Sequence, residues 1–598
     1  MSTAHRLSIG FFLLFLLVTV YPVFGMAGRE QVGFLLVAPD RGFLGNREIQ
    51  AVYEAFRKEY PASLAWAGRE YGASGGEYAA YLSRAVADLR RGGATEIIAL
   101  PLFLSTSDPV FKKVALHLSS YVSGGTIRWA SPMGESYLTA QILLDRVDRL
   151  SQNPEEERLV VVGVGATDEE SERLLKADLA RQVEYVKRYR SFKEVVLGVY
   201  YDRDAEPELK EKKNRAADDL IVRTAAKRGK TLLVPFFIGP KFDSHMSLTR
   251  WLGDKFKEID LAYDGEEVFP HPNVLLWLKK TANQFLPASA HETGVVIMPH
   301  GATQPWNDAV EEAIVPLRPR YRIEMAYGMA DPVTIHQAVS RLEEQGVRRI
   351  VFARMYALSD QMKGMTDYIL GLSEAPPHHG GDHDAAPPPQ VRSAVLFSTF
   401  GGYEEAPALA EILHERIMES SKAPSEETVI LVAHGAGDDE ADARWLSVMN
   451  RQIEKLRDDP HCKKLRTILA ATVREDWPEK RKEAVARLKE MIVQGKRDGR
   501  VLLISHRLRG AGPYRGLLEE AGLKGGVDYE INGKGFAPHP VLTRWLEQGI
   551  EREMMAMDQL NSPAAASAGG ESSPGSSFPN GFIGNPAPLL PGSPLPRG

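Results

Sequence analysis

Cysteine is almost absent. One thiol in 598 residues, Cys462, rules out intramolecular disulfides and cysteine-rich zinc or iron–sulfur centres. An excess of one charge is missing as well. Lys and Arg number 73 against 79 Asp and Glu, for a net charge of −6, so no nucleic acid or other polyanion is implied as a partner. The glycines near strand ends are too scattered for a dinucleotide or phosphate-loop fingerprint, and no organic cofactor is expected. Apolar runs of the roughly 20 residues that span a bilayer are also missing. The nearest is Ile9–Val20, preceded by Arg6, broken by Tyr21-Pro22 and followed by Val23-Phe24-Gly25. Residues 1–25 read as a signal peptide cleaved near Gly25, or as an uncleaved anchor and then the only membrane contact. The first reading predicts an exported, periplasmic protein; a non-functional leader would leave it cytoplasmic. No cysteine follows the run, which excludes a lipoprotein.

What is present is ordinary for folded protein, 43% hydrophobic and 25% charged, in a chain too long for one domain. Its organising stretch is Thr428–Asp439. An apolar run ends on Ala433-His434-Gly435, acidic residues follow, and a helical pattern begins. Ligands of α/β sheets bind where a parallel strand ends before a helix, and a histidine there can serve as base or metal ligand. Val295–Ala302 repeats the device with His300. Val160–Ala166 repeats it with Val164 at the histidine position, and Phe34–Asp40 with Pro39.

Strand and helix patterns alternate throughout, as in Gly33–Ala38, Glu77–Arg91 and Glu96–Leu104, which predicts α/β architecture with parallel sheets covered on both faces. The second half restates the first. Ala140–Arg146 matches Ala410–Arg416, Arg181-Gln182 matches Arg451-Gln452, and Val164–Ala166 matches His434–Ala436, each at an offset of 270. Pro-His-Pro recurs at 270–272 and 538–540, each time ahead of a tryptophan, Trp277 or Trp545. The chain therefore divides into two duplicated bilobal halves, with lobes 31–155, 156–285, 292–424 and 425–555. The third carries a loop at 373–393 rich in His and Pro. The stretch 562–598, rich in Pro, Ser and Gly, is expected to be disordered.

A strand ending in His-Gly-Ala, an acidic-led helix and a later Leu100-Pro-Leu-Phe-Leu104 or Val234-Pro-Phe-Phe-Ile238 strand resemble the small tetrapyrrole chelatases, the sirohydrochlorin cobalt- and ferrochelatases of the CbiX/SirB type. The resemblance spans 32–550 as four units. It implies flavodoxin-like lobes facing across a cleft. It also implies a lyase activity that inserts Co²⁺ or Fe²⁺, as substrate, into sirohydrochlorin or a related tetrapyrrole. In that family the histidine ending the first strand binds metal and accepts protons, roles that pass here to His434 and His300. A second metal-binding histidine is expected after the Pro-Leu-Phe-Leu strand, and here the chain departs from the pattern. It offers Asp108 in the first unit, Asp243 and His245 in the second, and Asp360 in the third. In the fourth, His506 aligns with the strand itself. Composite sites would pair His434 or His300 with these residues. The alternatives are a periplasmic metal- or tetrapyrrole-binding protein without catalysis, or a scaffold that has lost the chemistry. His271 and His539 are expected to play structural or rim roles. Asp168 and Asp438 suit a helix first turn on charge alone, and the basic stretches 210–215 and 480–489 suit a solvated helix face.

Overall fold

A computed structural model describes residues 31–68, 76–119, 126–377 and 386–559, together with the two-residue strand Phe582–Ile583. The expected leader at 1–25, His378, His379, Asp382, His383 and Asp384 of the 373–393 loop, and the remainder of the 562–598 tail lie outside the described residues. No described helix is long and apolar enough to cross a membrane.

The apolar runs form the centres of four all-parallel sheets. All seven residues of Glu427–Ala433 are buried, as expected of a parallel strand covered on both faces. The first sheet runs Ala62–Ala67, Val32–Pro39, Glu96–Pro101, Thr126–Ala130, with Phe582–Ile583 paired beyond the last. The third runs Arg322–Met325, Thr293–Met298, Arg349–Arg354, Leu396–Gly401. The fourth runs Thr467–Thr472, Glu427–Ala433, Arg500–Ser505, Glu530–Asn532. Numbered within each sheet, the order is 2-1-3-4 three times over. The second sheet keeps 2-1-3 in Glu194–Tyr201, Arg158–Ala166 and Thr231–Pro235, and Ala262 bridges to Leu232 on the outer side. This is the doubly wound order of flavodoxin-like sheets, whose switch point lies between strands 1 and 3.

The cores follow the duplication. One continuous core joins Leu36, Ile98 and Leu143 of the first sheet and its helices to Val161 and Val234 of the second. Another joins Ile297 and Val351 of the third to Leu431 and Ile504 of the fourth. Each sheet has a further apolar cluster on its outer face. The last helix of each half crosses back. Pro272–Gln284 packs on Phe43–Phe56 and Tyr137–Leu150, and Pro540–Gln559 packs on strands Arg349–Arg354 and Leu396–Gly401. Trp277 is buried in the first shared core, and Trp545 stands edge-on to Phe400 and Tyr403 at 5.8 Å.

His271 and His539 start these crossing helices. Each Nδ1 accepts a backbone N–H two residues on, 3.2 Å from Asn273 and 3.1 Å from Val541. Each Nε2 faces a carboxylate, Asp145 at 3.2 Å and Glu415 at 2.8 Å. Both are helix caps. Asp168 and Asp438 are also caps, accepting N–H groups from Ser171 at 2.7 Å and Ala441 at 2.8 Å.

The halves meet along segment 388–397. Tyr137 donates to Val391 O at 2.9 Å, Asn283 to Ala394 O at 3.0 Å and Lys280 to Val395 O at 2.6 Å. Arg392 forms a two-pronged pair with Asp145.

Candidate functional site

His434 follows directly on the first strand of the fourth sheet, at the switch point. The turn that presents it is stapled from below. Gly435 has φ of 84°, a left-handed conformation that glycine adopts without penalty. A Cβ there would stand 2.8 Å from Asp442 Oδ1 and 3.0 Å from Arg474 N. Asp442, from the following helix, accepts Ala436 N–H at 3.0 Å and the Thr472 hydroxyl at 2.9 Å.

The imidazole is fixed at one nitrogen. Nδ1 lies 2.8 Å from Gly435 O. A carbonyl only accepts, so Nδ1 carries the proton and neutral His434 keeps its lone pair on Nε2. That lone pair faces Asp476 Oδ2 at 3.1 Å and Glu475 Oε2 at 3.9 Å. A lone pair set against carboxylates calls for a proton or a cation between them. The ring is about a quarter exposed, at 26%. The Trp445 ring lies parallel to it, 6.2 Å away, and Trp477 stands edge-on at 6.0 Å.

The carboxylates come from Arg474–Trp477, just after the second strand. Arg474 has φ of 53°, a left-handed conformation costing about 1–3 kcal/mol that surrounding contacts must hold. Its N–H donates to His434 O at 2.6 Å. Its buried guanidinium donates to Ala436 O at 2.6 Å, to Gly437 O and to Asp439. Burial pushes the Glu475 carboxyl up from its ordinary value, against the opposing pull of the paired Arg507 guanidinium. Asp439, held by Lys480 and Arg474, is lowered to about 2. This constellation of Glu475, Asp476 and two tryptophans was not anticipated. Its one sequence signal is a run of three charged residues between an apolar strand and Trp477-Pro478.

His300 sits in the same turn of the third sheet. Gly301 has φ of 80°. Nδ1 lies 2.6 Å from Gly301 O, so Nε2 again holds the lone pair. Asn307 accepts Ala302 N–H at 3.0 Å, doing what Asp442 does for Ala436. His300 is exposed.

The remaining predicted ligands are placed otherwise. Asp360 is paired with Arg444 at 2.8 Å, and Arg444 also holds Glu404 at 2.7 Å. Arg444 lies in the helix after His434 and Asp360 follows a third-sheet strand, so carboxyl-terminal strand ends of the two sheets meet here. His506 is buried. Its Nε2 lies 2.7 Å from Gln452 Oε1, its ring stands edge-on to Phe536 at 5.0 Å, and burial depresses its pKa to about 4. It packs as a strand side chain, as its alignment with Phe236 implies. Asp243 closes an exposed turn, accepting the N–H groups of His245 and Met246, each at 2.7 Å. Asp108 accepts Val110 N–H at 2.8 Å and Phe111 N–H at 3.1 Å at the start of its helix. Among the described residues, one group of three or more His, Cys, Asp or Glu side chains brings its ligand atoms within 4.8 Å of one another. It contains none of these seven residues.

The N-terminal half has the matching cleft. Pro39, Leu104, Ser105 and Asp108 line it from the first sheet, and Val164, Asp178, Gln182 and Phe237 from the second. No imidazole lines it.

No family model and no curated protein matches the chain. Among solved structures it is similar to SirB from Bacillus subtilis with Fe³⁺, at 17% identity and a TM-score of 0.31, covering 42% of this chain and 96% of that one. It is also similar to a periplasmic binding ribose operon repressor protein from Lactobacillus acidophilus, at 12% identity and a TM-score of 0.22, covering 45% and 92%.

Proposed function

We propose that the C-terminal half is a metal chelatase site, which loads a divalent cobalt or iron ion into a flat, carboxylate-rich tetrapyrrole of the sirohydrochlorin class. The observation that carries this reading is the His434 Nε2 lone pair, fixed by its Gly435 contact and aimed at Asp476 and Glu475 between two tryptophans. An imidazole and a carboxylate suit Co²⁺ and Fe²⁺ as ligands. Trp477, exposed beside them, gives apolar ground for a macrocycle face, and buried Trp445 backs the imidazole. The balance is simple. One divalent ion enters, two pyrrole N–H protons leave, and no electron moves. His434 and Asp476 receive the metal substrate. His300, held in the same tautomer in the facing lobe, takes one proton and the other leaves to solvent, since a neutral imidazole is matched to that task near neutral pH.

The test is anaerobic Co²⁺ insertion into sirohydrochlorin, followed by absorbance, with the uncatalysed rate subtracted. His434→Ala should raise the Co²⁺ concentration for half-maximal rate, and His300→Ala should lower the rate at saturating Co²⁺. A wild-type protein no faster than the uncatalysed reaction sinks the chelatase reading. If that protein still binds metal or macrocycle in titration, the site is a carrier.

A further inference from the structure

We propose that His414, Asp459 and Cys462 form a second divalent-metal site, suited to an ion of the zinc class, at the end of the fourth sheet opposite the cleft. The ligand atoms of the three side chains all lie within 4.8 Å of one another. His414 Nε2 is a buried atom 3.3 Å from Asp459 Oδ1. Cys462 is 2% exposed. The Asp459 carboxylate is held in place by the backbone N–H groups of His461 at 2.7 Å and Cys462 at 3.0 Å. The neighbouring His461 is engaged elsewhere, its Nε2 lying 3.1 Å from Ser421 Oγ. Ser421 precedes the strand Glu427–Ala433 and His434 follows it, so the two sites are about 20 Å apart at ~3.3 Å per strand residue.

The duplicated half supplies an internal control. At the offset of 270, His414 corresponds to Leu144, which is packed in the shared core. The connection after the helix also differs. From Gln182 to the strand starting at Glu194 is 12 residues, and from Gln452 to the strand starting at Thr467 is 15. Asp459 and Cys462 both lie on the longer connection. The C-terminal half thus replaces an apolar contact with a histidine and lengthens the loop that faces it, and together these changes collect one nitrogen, one oxygen and one sulfur donor.

That donor set selects the metal. Thiolate and imidazole favour Zn²⁺ over Mg²⁺ or Ca²⁺. Binding forms an Sγ–metal bond as the thiol proton leaves to solvent, and thiolate plus carboxylate neutralise the ion. These three side chains leave the fourth tetrahedral position to a further ligand. Without metal, burial holds the Cys462 thiol up at about 11, which leaves it protonated and unreactive. A bound cation overrides that penalty.

The probe is Co²⁺, titrated anaerobically into the full-length protein and then displaced with Zn²⁺. Because Cys462 is the one cysteine of the chain, any sulfur-to-cobalt charge-transfer band reports this site and no other. Wild-type protein should develop the band with one equivalent of Co²⁺, and Zn²⁺ should abolish it. Cys462→Ser should lack it and His434→Ala should keep it. His414→Leu, which installs the counterpart's side chain, should weaken Co²⁺ binding beyond the roughly 10–100-fold lost when a ligand's outer-shell partner is removed. Folded wild-type protein without the band in excess Co²⁺ overturns the proposal, and so does unchanged Co²⁺ affinity in His414→Leu.

Discussion

The two halves share a scaffold and differ at their strand ends. In both, a buried glutamate at the entry to the central strand accepts the hydroxyl of a serine six residues earlier, Ser151 for Glu157 and Ser421 for Glu427. In both, a histidine caps the crossing helix and faces a carboxylate. The strand ends have diverged: Pro39 and Val164 in one half stand where His300 and His434 stand in the other. What the halves share therefore marks what the fold requires. What they do not share lies where the proposed chemistry would sit, and His434 belongs with the second group.

The comparison is broken most severely at that position. His434→Val places in the fourth sheet the residue that the second sheet tolerates at Val164. It should lower Co²⁺ insertion by about 10²-fold or more, the scale of losing a positioned acid–base or ligand group, and leave the thermal midpoint nearly unchanged. Insertion assays and a melt on the same preparation check both. A large drop in midpoint would mean that the His434 turn serves the fold.

The shared glutamates test the scaffold side. Burial alone would raise the Glu427 carboxyl, but Ser421 O–H, the N–H groups of Lys422 and Ala423, and Arg500 together hold it low. Glu427→Ala strands those donors and should cost about 3–5 kcal/mol. Glu157→Ala, where Ser151 and Gln152 donate, should cost nearly as much in urea denaturation. Markedly unequal losses would show that the halves do not share this support.

Asp145 and Glu415 sharpen the contrast. Both face a helix-capping histidine, and Asp145 also binds Arg392 across the junction of the halves. Burial works against ionisation of Asp145, yet Arg392 and His271 bring its pKa from 3.8 down to about 2. A carboxyl lowered on folding stabilises fully above its unfolded value and loses that contribution as pH falls through the folded one. The junction should therefore weaken between about pH 4 and pH 2. Asp145→Asn should cost about 1–2 kcal/mol at neutral pH, discounted for partial exposure, and remove that acid-range slope. Glu415→Gln should cost less. Chemical denaturation across pH 2–7 separates the two.

Much of this was legible from residues alone. The central strands were visible because parallel strands buried on both faces read as unbroken apolar runs, and Glu77–Arg91 matched its helix end for end. The short strands were not legible. Ala62–Ala67, Thr126–Ala130 and Glu530–Asn532 are short, and none carries the unbroken Val, Ile and Leu run that marks the central strands. His434 was legible because a strand-end histidine is a local pattern. Glu475 and Asp476 were not, since they reach it from the neighbouring strand, 41 and 42 residues away in the chain, through a left-handed residue at Arg474 that nothing in the sequence marks.

The smallest effect belongs to His506, where the halves carry different residues in one structural role. Phe236 fills the matching place in the first shared core. Burial lowers the His506 imidazole from 6.5 to about 4. A histidine lowered on folding leaves the unfolded chain holding more protons between those values. Its contribution is therefore complete above about pH 6.5 and drains away toward pH 4. His506→Phe should remove that slope while changing stability at pH 7 by about 1 kcal/mol or less, since the edge-on contact with Phe536 survives and the loss of the Gln452 partner offsets the gain in apolar burial. Metal binding at the cleft should not change. If His506→Phe instead weakens Co²⁺ binding, His506 reaches the metal in some state of the protein, and the correspondence with Phe236 fails at the one position where it assigns a histidine to packing.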